Sequence, residues 1–355
     1  MIPTASKAAA RAEAARILAL FTAAGAEIVE ADILQPADVL LDLYGEDIRA
    51  RAYVTNDPLR GEMMLRPDFT VPLVQMHMAA GAGPGRYAYA GEVFRRQEVS
   101  AGPAEFIQVG FELFTEQAEA DADAEVYATI TAALGDLNVQ AAMGDIGILV
   151  SAVRALDTSD ARKAALLRHV WRPRRFRLLL DRFGGRQPLP APRADVLADA
   201  PPAFGLRSMD EVAARLDAMR EDAATPPIPP AQMALFDEIL AVAAPAPQAL
   251  RELRDIASRY AGIAPAVARL SLRMEALTAR GIDLAEVAFE TTFGRTALEY
   301  YDGFVFGLYA AGRHFPPVAS GGRYDALTRV LGQGRAVPAV GGVIRPEIVV
   351  GLKGA

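Results

Sequence analysis

Residues 86–114 read RYAYAGEVFRRQEVSAGPAEFIQVGFELF. From Tyr87 to Phe94, aromatic and small residues alternate with the two-residue period of a strand. Ser100-Ala101-Gly102-Pro103 has turn composition, and an apolar-rich second strand follows from Phe106 to Phe114. The stretch predicts an antiparallel pair joined by a longer loop. On the return strand Gln108, Gly110 and Glu112 are spaced by two and share one face. Ile107, Val109 and Phe111 make the other face, which is apolar. Two readings of the polar face stand side by side: the wet side of a half-buried sheet, or the wall of a polar pocket.

Working outward, EADADAEVYATITAALGDL predicts a helix with acids in its first turn, where the helix dipole favours them. Upstream, a first helix is expected from Ser6 to Ala24, with Ile17, Leu18, Leu20 and Phe21 on its apolar face and Gly25 at its C-terminus. AEIVEADILQP reads as one strand ending at Pro36. A short helix and a strand follow, then GEMML as a strand and a helix that Pro67 or Pro72 starts. Residues from about 150 to 280 are helical, rich in Ala, Leu and Arg, and broken by proline clusters such as Pro226-Pro227-Ile228-Pro229-Pro230. Strand texture then returns in VAFETTFGRTALEYYDGFVFGLYA, read as two antiparallel strands, and SGGRYDALTRVLG reads as a glycine-opened helix. Antiparallel strands on both sides of a helical insertion imply an α+β core split in sequence: 1–148, 149–280 and 281–355.

Composition narrows the function. The 355 residues include 37 Lys+Arg and 44 Asp+Glu, a net charge of −7, which disfavours nucleic-acid binding by bulk charge. Cysteine is absent, so thiolate nucleophiles and disulfides are excluded. His77, His169 and His314 are not spaced as a metal pair, and no metal or cofactor is expected. The N-terminus reads as an amphipathic helix rather than a secretion signal, and no stretch approaches a membrane span. A cytoplasmic protein is expected.

Four segments set polar groups among apolar ones: Arg66, Asp68 and Thr70 in LRPDFT; Arg95, Arg96, Gln108 and Glu112 in the strand pair; Glu299, Tyr300 and Tyr301 in LEYYDGFVF; and Gly321-Gly322. Each has an ordinary reading as well: a helix N-cap, a solvated face, packing tyrosines with Glu299 and Tyr301 on one side and Tyr300 opposite, and a glycine turn. Taken together they make a pocket. Glu112 and a tyrosine hydroxyl suit the two nitrogens of an imidazole, Asp68, Thr70 and Gln108 suit an ammonium, and Arg95 suits a carboxylate or phosphate. The arginine run Arg172, Arg174, Arg175, Arg177 near Trp171 has an RNA-binding reading, but a solvated helix face or a protein contact is favoured over it.

The order of these segments resembles the catalytic core of class II aminoacyl-tRNA synthetases, specifically histidyl-tRNA synthetase. LRPDFT is similar to that family's LRPEGT, and GEVFRRQ with EFIQVGFE is similar to its motif 2. ALEYYDGFVF is similar to its GLDYYxxTVFE histidine-binding signature, and GGRYDALTRVLG with PAVGGVI is similar to the run into motif 3. The stretch ending at Pro36 resembles motif 1, which implies a homodimer through residues around Ile33 to Pro36. By this resemblance, Asp68, Thr70, Arg95, Gln108, Glu112, Tyr300 and Tyr301 form a histidine site.

The departures fall on the ATP chemistry. The family's arginine four positions before the first tyrosine of the pair is Thr296 here, and Arg295 is one residue away, a slip that reverses its face in a strand. The Glu-Arg pair ending motif 3 reads Glu347-Ile348, with Arg345 too early, and motif 2 reads Phe94-Arg95-Arg96-Gln97 without its acid. Each lost cation at a transferring charge costs on the order of 10²–10³ in rate, so no catalytic residues are assigned. The family's anticodon-binding domain is expected to be absent, and with it tRNA as a partner. These departures resemble the regulatory subunits of ATP phosphoribosyltransferase. That resemblance implies a non-catalytic protein that joins a short-form catalytic subunit in a hetero-oligomer, activates it, and makes it sensitive to histidine as an effector.

Overall fold

The computed structural model describes residues 6–44, 51–96, 103–188, 207–295, 300–311 and 316–354. Helix α1 (Lys7–Ala23) is capped by Ser6, whose hydroxyl accepts from Ala9 N at 3.2 Å. It buries Ile17 and Phe21, while Leu20, expected on the same face, is exposed. Gly25 follows at φ +86°, the left-handed conformation that closes a helix. Residues 26–36 divide into β1 (Glu27–Ile28) and β2 (Leu34–Pro36), which join different sheets. The single strand expected there is broken between them, where the Ala31 carbonyl accepts from Arg66 Nη1.

Next come α2 (Ala37–Tyr44), β3 (Val54–Asp57), β4 (Gly61–Leu65) and α3 (Thr70–Ala79). Strands β2, β4 and β3 make a small antiparallel sheet in that order. The quoted stretch forms β5 (Gly85–Phe94) and β6 (Glu105–Phe114), an antiparallel pair with Tyr87 opposite Glu112 and Gly91 opposite Gln108. Most of the predicted turn, residues 100–102, lies outside the described residues. Helix α4 (Glu119–Leu134) carries Glu119 and Asp121 in its first turn.

Strand β7 (Gln140–Asp145) follows. The helical region then comprises α5 (Ile146–Arg154), α6 (Asp160–Arg168), α7 (Pro173–Phe183), α8 (Met209–Ala224), α9 (Pro230–Ala241), α10 (Ala246–Arg259) and α11 (Ala264–Ala279). A short strand β8 (Ala243–Pro245) lies between α9 and α10. The chain returns through β9 (Val287–Glu290), β10 (Phe304–Tyr309), β11 (Ala319–Arg323), α12 (Asp325–Leu331), β12 (Ala339–Ile344) and α13 (Pro346–Lys353).

The main sheet has the order β1-β5-β6-β12-β11-β10-β7-β9-β8. Among the described residues its pairs are antiparallel except β1 with β5 and β7 with β9. Strands β9 and β10 both form, but they do not pair with each other as expected. β7 lies between them, parallel to β9 and antiparallel to β10. Thr291, just after β9, is held to the helical layer: its N–H donates to Val242 O at 3.2 Å and its hydroxyl to Ile239 O. β7 and β8 take both edges of β9, which leaves none for β10.

Gly321 and Gly322 also differ from expectation. They run inside β11, with α12 opening only after Tyr324. A Cβ on Gly321 would stand 2.3 Å from Gly341 O, and one on Gly322 2.8 Å from the Tyr301 ring. The glycines therefore serve close approach rather than a turn that opens the helix. The N–H groups that open α12 are taken by Asp302, which accepts from Asp325 N at 3.1 Å and Ala326 N at 2.8 Å.

One face of the sheet is covered by α1 and α4. Phe21 of α1 meets Phe111 of β6 with ring centroids 5.5 Å apart, and Ile130 of α4 lies against Gly342. The opposite face carries Gln108, Gly110 and Glu112, with α3 at its margin. No helix among the described residues is long and apolar enough to cross a membrane.

Candidate ligand site

Registers across four strands assemble the site. Tyr87, Glu112, Gly341 and Gly322 lie level on β5, β6, β12 and β11, and Tyr89 lies opposite Gly110. The polar face is not solvated: Gln108 and Glu112 are each 1 % exposed. Burying a carboxylate is costly unless its oxygens are satisfied. Glu112 Oε2 accepts from the Tyr324 hydroxyl at 2.6 Å, and Oε1 accepts from Tyr89 OH and Thr70 Oγ1, both at 3.3 Å. Thr70 in turn accepts from Tyr300 OH at 3.3 Å. Among the described residues no lysine, arginine or histidine bonds the carboxylate.

Desolvation is the largest influence on Glu112, and the nearby charge of Asp68 adds to it. The three hydroxyls pull the other way, and its pKa is raised from 4.5 to about 7. The cage depends on two glycines. A Cβ on Gly341 would stand 1.4 Å from Glu112 Oε2, and one on Gly110 would stand 2.0 Å from the Tyr89 ring.

The other expected site residues take these positions. Asp68 is buried, and its Oδ1 accepts from Val71 N at 3.4 Å, a long contact across the first turn of α3. Tyr300 and Tyr301 do not sit on opposite sides of a strand. They precede β10 and are both buried, with ring centroids 5.0 Å apart. Tyr301 feels the charges of both Glu112 and Asp68. Gln108 Oε1 is buried without a hydrogen-bond partner. Arg95 Nε donates to Pro67 O at 2.7 Å, and its guanidinium lies 5.6 Å from the Phe106 ring centre. Arg66 is drawn away from the pocket: it donates to Glu92 O and Ala31 O and stacks over Phe69. Thr296 and Glu299 lie outside the described residues.

Arg295 is committed elsewhere. Its Nε donates to Val170 O at 2.6 Å, and its guanidinium stacks 4.6 Å above Phe176 of α7. Ile348 packs against the apolar core, and Glu347 Oε1 accepts from Ile107 N at 2.7 Å. The arginine run is exposed, and within it Arg177 pairs with Asp181 and Asp237. Trp171 Nε1 donates to Tyr301 O at 2.9 Å, which ties that run to the pocket.

Tyr89 and Tyr324 were not singled out from sequence. Tyr89 is two residues from Tyr87 on the alternating strand, and Tyr324 is the tyrosine of GGRYD. What hid their role was the register between strands, which the long β5–β6 loop leaves undetermined.

A family model described as histidyl-tRNA synthetase matches residues 1–223 and 211–349. The chain is 33% identical over 359 residues to the ATP phosphoribosyltransferase regulatory subunit of Brucella anthropi, covering 92% of this chain and 94% of that protein. It is 32% identical to the protein of the same name from Brucella ovis, covering 89% and 90%. Among solved structures, an ATP phosphoribosyltransferase regulatory subunit/histidyl-tRNA synthetase from Bacillus halodurans has the same fold. Its TM-score is 0.70 at 22% identity, over 99% of this chain and 82% of that one. A histidine–tRNA ligase subunit from Alicyclobacillus acidocaldarius gives a TM-score of 0.62 at 25% identity, over 100% and 96%. The fold is thus the histidyl-tRNA synthetase-like core of the class II synthetases. Within that class, the chain belongs to the ATP phosphoribosyltransferase regulatory subunit family.

Proposed function

We propose that this protein is the non-catalytic regulatory subunit of ATP phosphoribosyltransferase in histidine biosynthesis. It binds histidine in the Glu112 pocket, activates a short-form catalytic subunit and makes that subunit sensitive to feedback inhibition. The observation that carries this reading is the contrast within one site: the Glu112 cage is intact, while Arg295 is tied to Val170 and Ile348 is packed in the core. A pocket that holds an amino acid but has Arg295 diverted and Ile348 in place of an arginine acts as a sensor. Its ligand shifts populations by binding two states of a complex unequally. The Trp171–Tyr301 hydrogen bond supports an allosteric role, because it joins the pocket wall to the exposed arginines at the start of α7.

A homodimer fits the small sheet, which exposes Ile33, Leu34, Tyr53, Val54 and, at 96% exposure, Leu59. This patch includes the motif-1-like residues Ile33 and Leu34. tRNA is not a partner in this reading, and the complex works in the cytoplasm.

The test is reconstitution with a short-form catalytic subunit. Adding the chain should raise phosphoribosyl transfer, histidine should then lower it, and light scattering should show a complex. Equal rates and equal histidine sensitivity with and without the chain, with no complex, would refute the assignment. The chain alone should show no histidine-dependent ATP–pyrophosphate exchange, and robust exchange would identify a synthetase instead.

A further inference from the structure

Two guanidinium groups converge at the other end of the polar face. Arg345 N donates to Val318 O at 2.9 Å, which continues the β11–β12 pairing by one residue. The β6–β12 register sets Ile344 opposite Val109, so Arg345 comes level with Gln108. Arg345 therefore shares the face of Glu112. It lies four residues along the strand from Gly341, about 13 Å of extended chain. Arg345 is 9% exposed, and its Nη1 donates to Pro317 O at 2.8 Å. Its neighbours are Arg95, Tyr301, Tyr309 and Glu347. Burial, then the like charge of Arg95, pushes its pKa down to about 10.

Both arginines keep donors in hand. Among the described residues, Arg95 Nη1 and Nη2 and Arg345 Nε and Nη2 meet no protein acceptor, and neither residue forms an ion pair. Glu347 does not close the gap: one oxygen is taken by Ile107 N and the other has no partner. Gln108, fully buried beside them, also has an unsatisfied Oε1. Arg95 is half-buried and Arg345 buried, and like charges held together there favour an anion between them. Arg95, Arg345 and Glu347 sum to one net positive charge, which matches a carboxylate better than a phosphate dianion. Tyr301 lies between the ends, within electrostatic range of both Glu112 and Arg345.

We propose that Arg345, with Arg95, anchors the α-carboxylate of a free amino acid whose basic side chain reaches Glu112. The proposal deepens the reading of the Glu112 pocket as a histidine site and rests on it.

Calorimetry on the full chain tests it with L-histidine and L-histidinol, which replaces the carboxylate with a hydroxymethyl group. Wild type should bind histidinol at least tenfold more weakly than histidine. Arg345→Gln should bring histidine down to the histidinol level and leave histidinol unchanged. Equal binding of the two ligands by wild type, or equal loss of both in Arg345→Gln, overturns the proposal and leaves the imidazole end intact. Binding of neither ligand by wild type overturns the pocket reading and the proposal together. Competition by inorganic phosphate with millimolar affinity or better, without discrimination between the ligands, would make this a phosphate site and also overturn it. Should Arg345→Gln fail to fold, Arg95→Gln is read in the same way.

Discussion

Opposite faces of one sheet carry two buried polar clusters of contrasting design. On the helix-covered face, Arg273 of α11 pairs with Asp123 at 2.6 Å and with Asp145 at 2.7 Å. Arg323 of β11 pairs with the same Asp123 at 2.7 Å and with Asp325 at 3.1 Å. Every charge in that cluster has an opposite partner, and together the pairs tie α11, α4 and α12 to strands β7 and β11. On the other face Glu112 is equally buried, yet among the described residues only hydroxyls bond it, and its pKa is raised to about 7. A paired cluster fixes architecture. A buried carboxylate without a cation costs stability, and a ligand that supplies an N–H or a positive charge recovers that cost.

The largest effect should come from the paired side. Arg273→Leu strands the buried Asp145 and leaves Asp123 with Arg323 alone, and should lower unfolding stability by about 3–5 kcal/mol in urea denaturation. A loss below about 1 kcal/mol would erase the distinction between the two faces.

The second effect is pH-dependent and opposite in sign. Glu112 is raised from 4.5 to about 7, so between those values the folded state holds a proton that the unfolded state has released. Stability on this account falls as pH rises through that window, by about 3 kcal/mol at its end. Glu112→Gln should therefore be level with wild type near pH 4 and more stable at pH 8. Asp302, raised to about 7 mainly by burial, contributes a slope of the same sign in both proteins and cancels in the difference. A variant less stable at pH 8 would contradict the picture of an unpaired charge.

Gly341→Ala comes third. Its Cβ would overlap the Glu112 carboxylate, and the overpacking should cost about 1–3 kcal/mol together with loss of histidine binding by calorimetry. The smallest effects belong to the single hydroxyls. Tyr324→Phe removes a 2.6 Å bond and Tyr89→Phe a 3.3 Å bond, so each should cost about 1 kcal/mol at about pH 5, where Glu112 is neutral, with Tyr324 the larger. The reverse order would shift the weight of the cage to Oε1.

Local pattern made part of this molecule legible. The β5–β6 pair followed from alternation over 29 quoted residues, and α1 from its cap and closing glycine. Long-range pairing was not legible. β7, the short run QAAMGD, separates β9 from β10, and nothing local marks it as their shared neighbour. Gly321-Gly322 illustrates a second limit: glycine before a helix and glycine under a crowding side chain look alike in sequence. In the site, Glu112 and Gln108 were read as sharing a face, which the registers reproduce. The cage tyrosines Tyr89 and Tyr324 depend on cross-strand register, and so they emerged only with the fold.

The most direct test of the central claim, that the uncompensated carboxylate is the receptor for an imidazole, is histidine affinity at pH 8. Calorimetry on wild type and Glu112→Gln measures it. The account predicts saturable histidine binding to wild type and binding at least tenfold weaker to Glu112→Gln, because a hydrogen bond to a charged group contributes about 1.5–3 kcal/mol. The same dissociation constant for both proteins would contradict it.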